Sequence, residues 1–134
     1  DEDEDEIEIP LPLVTQAQLQ SIVRFLTMHA EQPCGEPSKP LASANLRENG
    51  VQPMFASWVE SLPVTQNGSG VVGVLGAAHY LDIDPLVKLL AARLAASIRG
   101  LTPEEIRNLL GLQDDLTPAE KSRHARENQW CLDL

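Results

Sequence analysis

The 134 residues make one domain, or a small domain with tails, and they carry twenty acidic against ten basic side chains for a formal net charge of -10. Seven of the acids lie in residues 1–8, which leaves thirteen acids to ten bases in the rest, an ordinary balance for a soluble domain. Five aromatic residues and no basic cluster argue against nucleic acid as a partner. The longest apolar run, Val71 to Ala78, is far short of the roughly 20 residues that span a bilayer. Cys34 and Cys131, with no C-x-x-C pair, exclude a disulfide scaffold or a structural zinc site.

Residues 1–8 form a like-charge block that repels itself and is expected to be a disordered acidic loop. Ile9-Pro10-Leu11-Pro12-Leu13 alternates apolar residues with proline and predicts an extended segment or sheet edge. Thr15 to His29 is the first clear helix. Thr15 and Gln18 stand at capping-box spacing, and Leu19, Ile22, Val23 and Leu26 fall at i, i+3, i+4 and i+7 as its expected apolar face. Residues 31–53 hold Pro33, Pro37, Pro40 and Pro53 with Gly35 and Gly50, no sustained period, and read as a linker. Met54, Phe55 and Trp58 to Leu62 return to apolar character as a short helix or turn. Asn67-Gly68-Ser69-Gly70 breaks the chain and can cap the next segment. Val71 to Leu81 is apolar nearly all round and predicts a buried helix, although its β-branched residues and glycines leave a strand open on propensity alone.

The last third is punctuated more sharply. Asp84-Pro85 predicts an N-cap followed by proline in the first turn. Val87, Leu90, Leu94 and Ile98 make a stripe that Leu86 and Leu89 widen, and Gly100 is placed to end the helix in a left-handed cap. Thr102-Pro103-Glu104-Glu105 opens another helix with Ile106, Leu109 and Leu110 on its apolar face and Gly111 as its stop. Thr117-Pro118-Ala119-Glu120 repeats the opening. The helix it starts is polar all round from Glu120 to Gln129 except for Ala125, so no core face of its own can hold it. Leu101, Ile106, Leu109, Leu110, Leu112, Leu116 and Trp130 therefore need a shared burial site. Either they pack on the helix from Asp84 to Ile98, or some stay open as a groove for a partner's apolar segment.

Catalytic chemistry finds little support. His29, His79 and His124 with Cys34 and Cys131 show no metal-ligand spacing and no nucleophile motif, so neither a metal site nor a cofactor is expected and the chain does not read as an enzyme. Cys131 beside Trp130 reads as a small packing residue. The scarcity of cysteine makes a reducing compartment, cytoplasm or nucleus, the expected location.

Ala77-Ala78-His79-Tyr80-Leu81-Asp82-Ile83 resembles the AANYLDI signature of the Skp-type adaptor family of SCF ubiquitin ligases. Ile98-Arg99-Gly100-Leu101-Thr102-Pro103-Glu104-Glu105-Ile106-Arg107 is similar to its IKGKTPEEIR element. Arg126-Glu127-Asn128-Gln129-Trp130-Cys131 is similar to its RKENQWC ending, and Ile9 to Val14 after the acidic run is similar to its VPLPNV segment. Order is preserved over nearly the whole chain. The resemblance implies a mainly α fold (α+β in the intact family). Its parts are an acidic loop at 1–8, a truncated BTB/POZ-like helical core over 9–83 interrupted by the linker at about 31–53, and a carboxy-terminal F-box-binding helical region over 84–134. The family's opening strand–helix unit is not in the sequence, which does not start with Met and reads as a fragment. Gly70-Val71-Val72-Gly73-Val74-Leu75-Gly76 stands where the family commonly has a helix bearing leucine and phenylalanine, and His79 replaces a common Asn.

The partners the resemblance implies are F-box proteins and a cullin. The F-box side is expected at Ile98, Leu101, Pro103, Ile106, Leu109, Leu110, Leu112, Leu116, Asn128 and Trp130, with Trp130 anchoring the final segment against residues 101–116. The cullin side is expected to include His79 and Tyr80. The intact carboxy-terminal motifs make F-box binding the stronger inference. Some protist members of the family hydroxylate and then glycosylate a proline in a matching Thr-Pro-Glu context, the place Pro118 occupies, although Ala119 departs from that context. Two other readings stand beside this one. An elongin-C-like BTB/POZ adaptor would end near residue 102, which the segment 102–134 opposes. An acidic chaperone of histones or other basic proteins would rest on residues 1–8.

Overall fold

The computed structural model describes residues 6–65 and 68–132, so most of the acidic block, and Asn67 of the expected breaker, lie outside the described residues. Among those described there are six α-helices, two short 3₁₀ turns and no strand. The helices are α1 (Gln16–Glu31), α2 (Pro53–Glu60), α3 (Val71–Tyr80), α4 (Asp84–Ile98), α5 (Pro103–Leu110) and α6 (Pro118–Glu127), with the 3₁₀ turns at Leu46–Asn49 and Gln129–Leu132. The mainly α expectation holds. The segment Val71–Tyr80 is helical despite its valines and glycines, because tertiary burial overrides propensity. The proline-alternating stretch at 9–13 has no strand to lie beside among the described residues.

The core sits among α1 to α4. α3 and α4 make the most extensive contact, α1 lies on α3, and α2 meets α4. Phe25, Phe55, Val59, Val71, Val74, Leu86, Leu89 and Leu90 are fully enclosed there. Phe25 is the hinge of an aromatic cluster. Its ring centroid lies 5.4 Å from that of His29, stacked, 5.6 Å from Phe55 and 5.9 Å from Trp58. Aromatic neighbours at such spacing contribute about 0.5–1.5 kcal/mol beyond the area they bury.

The capping box of α1 forms as expected. Gln18 N–H donates to Thr15 Oγ1 at 3.2 Å and Thr15 N–H to Gln18 Oε1 at 3.1 Å. The buried face shares only Ile22 with the expected one. Ile22, Phe25 and Met28 point inward, whereas Leu19, Val23 and Leu26 of the expected stripe are exposed, Val23 by 53 %. Apolar residues cover a wide arc of this helix, so two stripes fit a helical period. The Phe25 ring, the largest apolar group on the helix, sets which one turns to the core.

Residues 31–53, expected as a linker, are packed as a strap. Leu46, Asn49 and Val51 are buried. Asn49 uses its whole side chain: Oδ1 accepts from Ala42 N–H at 2.7 Å, and Nδ2 donates to Ser43 O at 3.0 Å and to Asn45 O at 2.7 Å. A buried amide satisfied on both sides fixes the loop where a hydrophobic period is missing. The first half of the strap is tied to α4 and to the turn after it. Lys88 Nζ donates to Glu36 Oε1 at 3.0 Å, and Arg99 donates to Leu41 O at 3.1 Å.

α3 starts without a side-chain cap. A Cβ at Gly73 would collide with the Gly68 carbonyl, the same oxygen that accepts from Gln18 Nε2 at 2.9 Å. Glycine here lets the preceding loop close over α3 and ties it to α1. α3 ends in a Schellman motif built on Asp82, whose φ is 56°. Ile83 N–H donates to Ala78 O at 3.0 Å and Asp82 N–H to His79 O at 3.1 Å. Asp tolerates this conformation better than most side chains. The tight turn delivers the chain directly into α4.

Two expectations for α4 need correction. Asp84 is not its side-chain cap: Ile83 holds the N-cap position, and the Asp84 carboxylate lies 3.1 Å from Lys88 Nζ instead. The centre of the buried stripe is Leu86, Leu89 and Leu90, with Val87, Leu94 and Ile98 half-buried at its margin, because α3 approaches from the Leu86 side.

Candidate functional site: the carboxy-terminal helices

The chain changes character after Ile98. Arg99 is extended (φ -61°, ψ 124°), Gly100 has φ 78°, and Leu101 N–H donates to Ile98 O at 3.1 Å. These are the features of a type II turn, in which the third residue needs positive φ and hence glycine. Gly100 therefore has the left-handed conformation expected of it, but it reverses the chain one residue beyond the helix rather than capping α4.

α5 and α6 are each closed by the devices read from the sequence. Glu105 N–H donates to Thr102 Oγ1 at 3.3 Å and Thr102 N–H to Glu105 Oε2 at 2.9 Å. Thr117 and Glu120 repeat the reciprocal pair at 3.2 and 3.0 Å. Proline occupies the first turn of both. Gly111 ends α5 at φ 67°, with Leu112 N–H donating to Arg107 O at 2.9 Å. Each such cap contributes typically about 1 kcal/mol, so these two short helices are stabilised locally at both the backbone and the charge level.

Neither helix has a buried residue. Ile98, Leu101, Ile106 and Leu110 are half-buried, whereas Pro103, Leu109, Leu112, Leu116, Asn128 and Trp130 are exposed. Trp130 is 64 % exposed. The expected anchoring of Trp130 against residues 101–116 does not cover its ring, and the 3₁₀ turn that carries it lies against α6. The reason is physical. α6 offers only Ala125 as an apolar side chain between Glu120 and Gln129, so it brings nothing to sandwich the indole against α5.

A groove of about 340 Å3 runs between α5 and α6, lined by Pro103, Glu104, Arg107, Leu116, Lys121, His124, Ala125 and Asn128. Charged side chains connect along it. The Asp114 carboxylate lies 2.5 Å from Lys121 Nζ and 3.9 Å from Arg107, and Arg107 also meets Glu104 at 3.2 Å. The hydrogen bond from Lys121 above all, and then the Arg107 charge, hold the Asp114 carboxyl below the ordinary carboxylate range. Pro118 is exposed at the first position of α6.

Elsewhere, His79 and Tyr80 are both exposed at the end of α3. His29 Nδ1 accepts from Cys34 N–H at 2.9 Å and its ring lies on Phe25, a structural arrangement. Burial pushes the Cys34 thiol up to about 11, which keeps it protonated and unreactive at neutral pH. Among the described residues no three His, Cys, Asp or Glu side chains converge to hold a metal ion, and no helix is long and apolar enough to cross a membrane.

Residues 84–131 match the Skp1 family, dimerisation domain. The match starts with α4 and takes in α5, α6 and the final turn. This part of the chain is a Skp1-family domain. It is 34% identical over 113 residues to an S-phase kinase-associated protein 1 homolog of Tetrahymena thermophila, which covers 84% of this chain and 65% of that relative. It is 31% identical over 121 residues to a Skp1-related protein of Caenorhabditis elegans, covering 90% and 64%. Over a shorter stretch of 57 residues it is 47% identical to the SCF ubiquitin ligase complex protein SKP1a of Dictyostelium discoideum, covering 42% and 35%. The matched stretches thus span between about a third and just under two thirds of these Skp1-family relatives.

Proposed function

We propose that this chain is an adaptor subunit of an SCF-type ubiquitin ligase that bridges F-box substrate receptors to a cullin. The observation that carries the proposal is the pair α5 and α6: two well-capped helices with apolar side chains and no buried residue, within the stretch matched by the Skp1 family. Helices of eight and ten residues are marginal without tertiary contact, so apolar side chains left open on them favour a partner that completes their packing.

The proposed partner surface runs from Ile98 and Leu101 along Pro103, Ile106, Leu109 and Leu110 to Leu112, Leu116, Asn128 and Trp130. Side chains of this kind contribute roughly 1.5–3 kcal/mol each when fully buried, before the costs of ordering both partners. The folded α1–α4 core then serves as the rigid mount, with His79 and Tyr80 on the face proposed for the cullin. The role is positional rather than catalytic. A receptor held at a fixed point brings its bound substrate to the ubiquitin-transferring end of the assembly at high effective concentration. Such a subunit works in the cytoplasm and nucleus, where its two thiols stay reduced. Pro118, exposed at the start of α6, is open to the hydroxylation and glycosylation that the family resemblance implies.

The test is co-expression with an F-box segment followed by size-exclusion chromatography. The expected result is a one-to-one complex. Failure to co-elute with several unrelated F-box segments would overturn the proposal.

A further inference from the structure

α5 and α6 are held in register by something other than a core. Neither has a buried side chain, and their mutual approach is far less extensive than that of α3 and α4. What joins them is one carboxylate. Asp114, in the loop between the helices, lies 2.5 Å from Lys121 Nζ of α6 and 3.9 Å from the Arg107 guanidinium of α5. Arg107 is itself aligned by Glu104 at 3.2 Å on the same helix, and its side chain is largely covered. Three of the four, Glu104, Arg107 and Lys121, line the groove that opens between the helices, and Asp114 reaches two of them.

We infer that Asp114 is a positioning residue, bridging α5 to α6 and thereby setting the width of the partner-facing groove before any partner arrives. This rests on the adaptor reading for its functional consequence, but not for its geometry. An isolated surface ion pair does little in water, because solvent competes and side-chain entropy opposes it. Asp114 differs in two respects. It meets two cations from two elements at once, and among the described residues those elements make no extensive contact with each other, so a small electrostatic preference weighs on their relative placement. Pre-setting the groove lowers the ordering cost that a partner would otherwise bear.

The experiment uses the full chain with Cys34 and Cys131 replaced by serine and spin labels at Asn108 of α5 and Ser122 of α6. Electron–electron distance measurements read the interhelix distribution, and titration with an F-box segment reads affinity. The expected result is a narrow distribution that Asp114→Asn and Lys121→Gln each broaden. Asp114→Glu should restore it, and the Asp114→Asn plus Lys121→Gln pair should broaden it no further than either change alone. F-box affinity should fall roughly two- to fivefold with Asp114→Asn, and high salt should abolish the difference. An unchanged distance distribution in Asp114→Asn overturns the bridging role. A broadened distribution with unchanged affinity overturns the claim that the bridge sets the groove. Absence of binding by the parent chain itself counts against the adaptor reading, and the bridge then stands or falls on the distances alone.

Discussion

The two halves of the molecule are stabilised by opposite means. Residues 16–98 bury Ile22, Phe25, Phe55, Val74, Leu86, Leu89 and Leu90 in a shared core, yet α3 and α4 begin with no side-chain cap at all. α5 and α6 invert this: every terminus is capped, prolines sit in both first turns, and no residue is buried. A helix with a core can do without such caps, although α1 has both, and one without a core persists only through local reinforcement or through a partner. Dense local signals with no tertiary burial are what the proposed adaptor role requires of a partner-binding segment.

The largest expected effect lies in the first half. Phe25→Ala removes the centre of the aromatic cluster and should cost about 3–5 kcal/mol, read as a lowered midpoint of chemical denaturation. Leu109→Ala, by contrast, should leave the midpoint within about 0.5 kcal/mol, because Leu109 is exposed in the free chain. Equal effects would erase the contrast between the halves. Asn49→Ala comes next. It removes the partner of the Ala42 amide and of the Ser43 carbonyl, leaves the Asn45 carbonyl only its bonds from Glu48 N–H and the Ser43 hydroxyl, and should cost about 1–3 kcal/mol while freeing the strap. Thr117→Ala should cost α6 about 1 kcal/mol, seen as lost helicity with the denaturation midpoint of the core unmoved. A drop in that midpoint would show that α6 is coupled to the core.

The smallest effects are chemical. Iodoacetamide at neutral pH should label exposed Cys131 well before Cys34, whose thiol burial keeps protonated. Faster labelling of Cys34 would mean that the strap opens readily. The Asp114 bridge should weaken in acid. Its carboxyl lies below its ordinary value of 3.8 when folded, so the bridge is fully present above that value and is lost as pH falls through the lowered one. Spin-label distances that stay narrow through that range would show that Arg107 and Lys121 do not depend on the charge.

Legibility in the sequence divides along the same line. Capping boxes at Thr15, Thr102 and Thr117 and the positive-φ glycines at Gly100 and Gly111 were legible, because those bonds span three or four residues. The inward face of α1 was not, since Leu19, Val23 and Leu26 satisfy a helical period as well as Ile22, Phe25 and Met28 do, and it is the Phe25 ring, packed against Phe55 and Trp58, that decides between them. The packed strap was hidden for a related reason. Its order depends on Asn49, a residue that looks like loop until its amide is seen to be fully used. At the candidate site, the surplus of apolar residues after Ile98 was visible in the composition, with packing on α4 and an open groove both left standing; the exposure of Trp130 favours the groove. The Asp114 bridge left no motif, because Arg107, Asp114 and Lys121 come together only once both helices and their loop have formed.

Hydrogen exchange of the whole chain, free and with an F-box segment bound, tests the central claim most directly. The account predicts slow exchange in α1, α3 and α4 of the free chain and fast exchange through residues 103–127. Binding should then protect residues 98–132 by roughly tenfold or more while the core changes little. Residues 103–127 already as protected as the core in the free chain, or unprotected when the partner is bound, would contradict it.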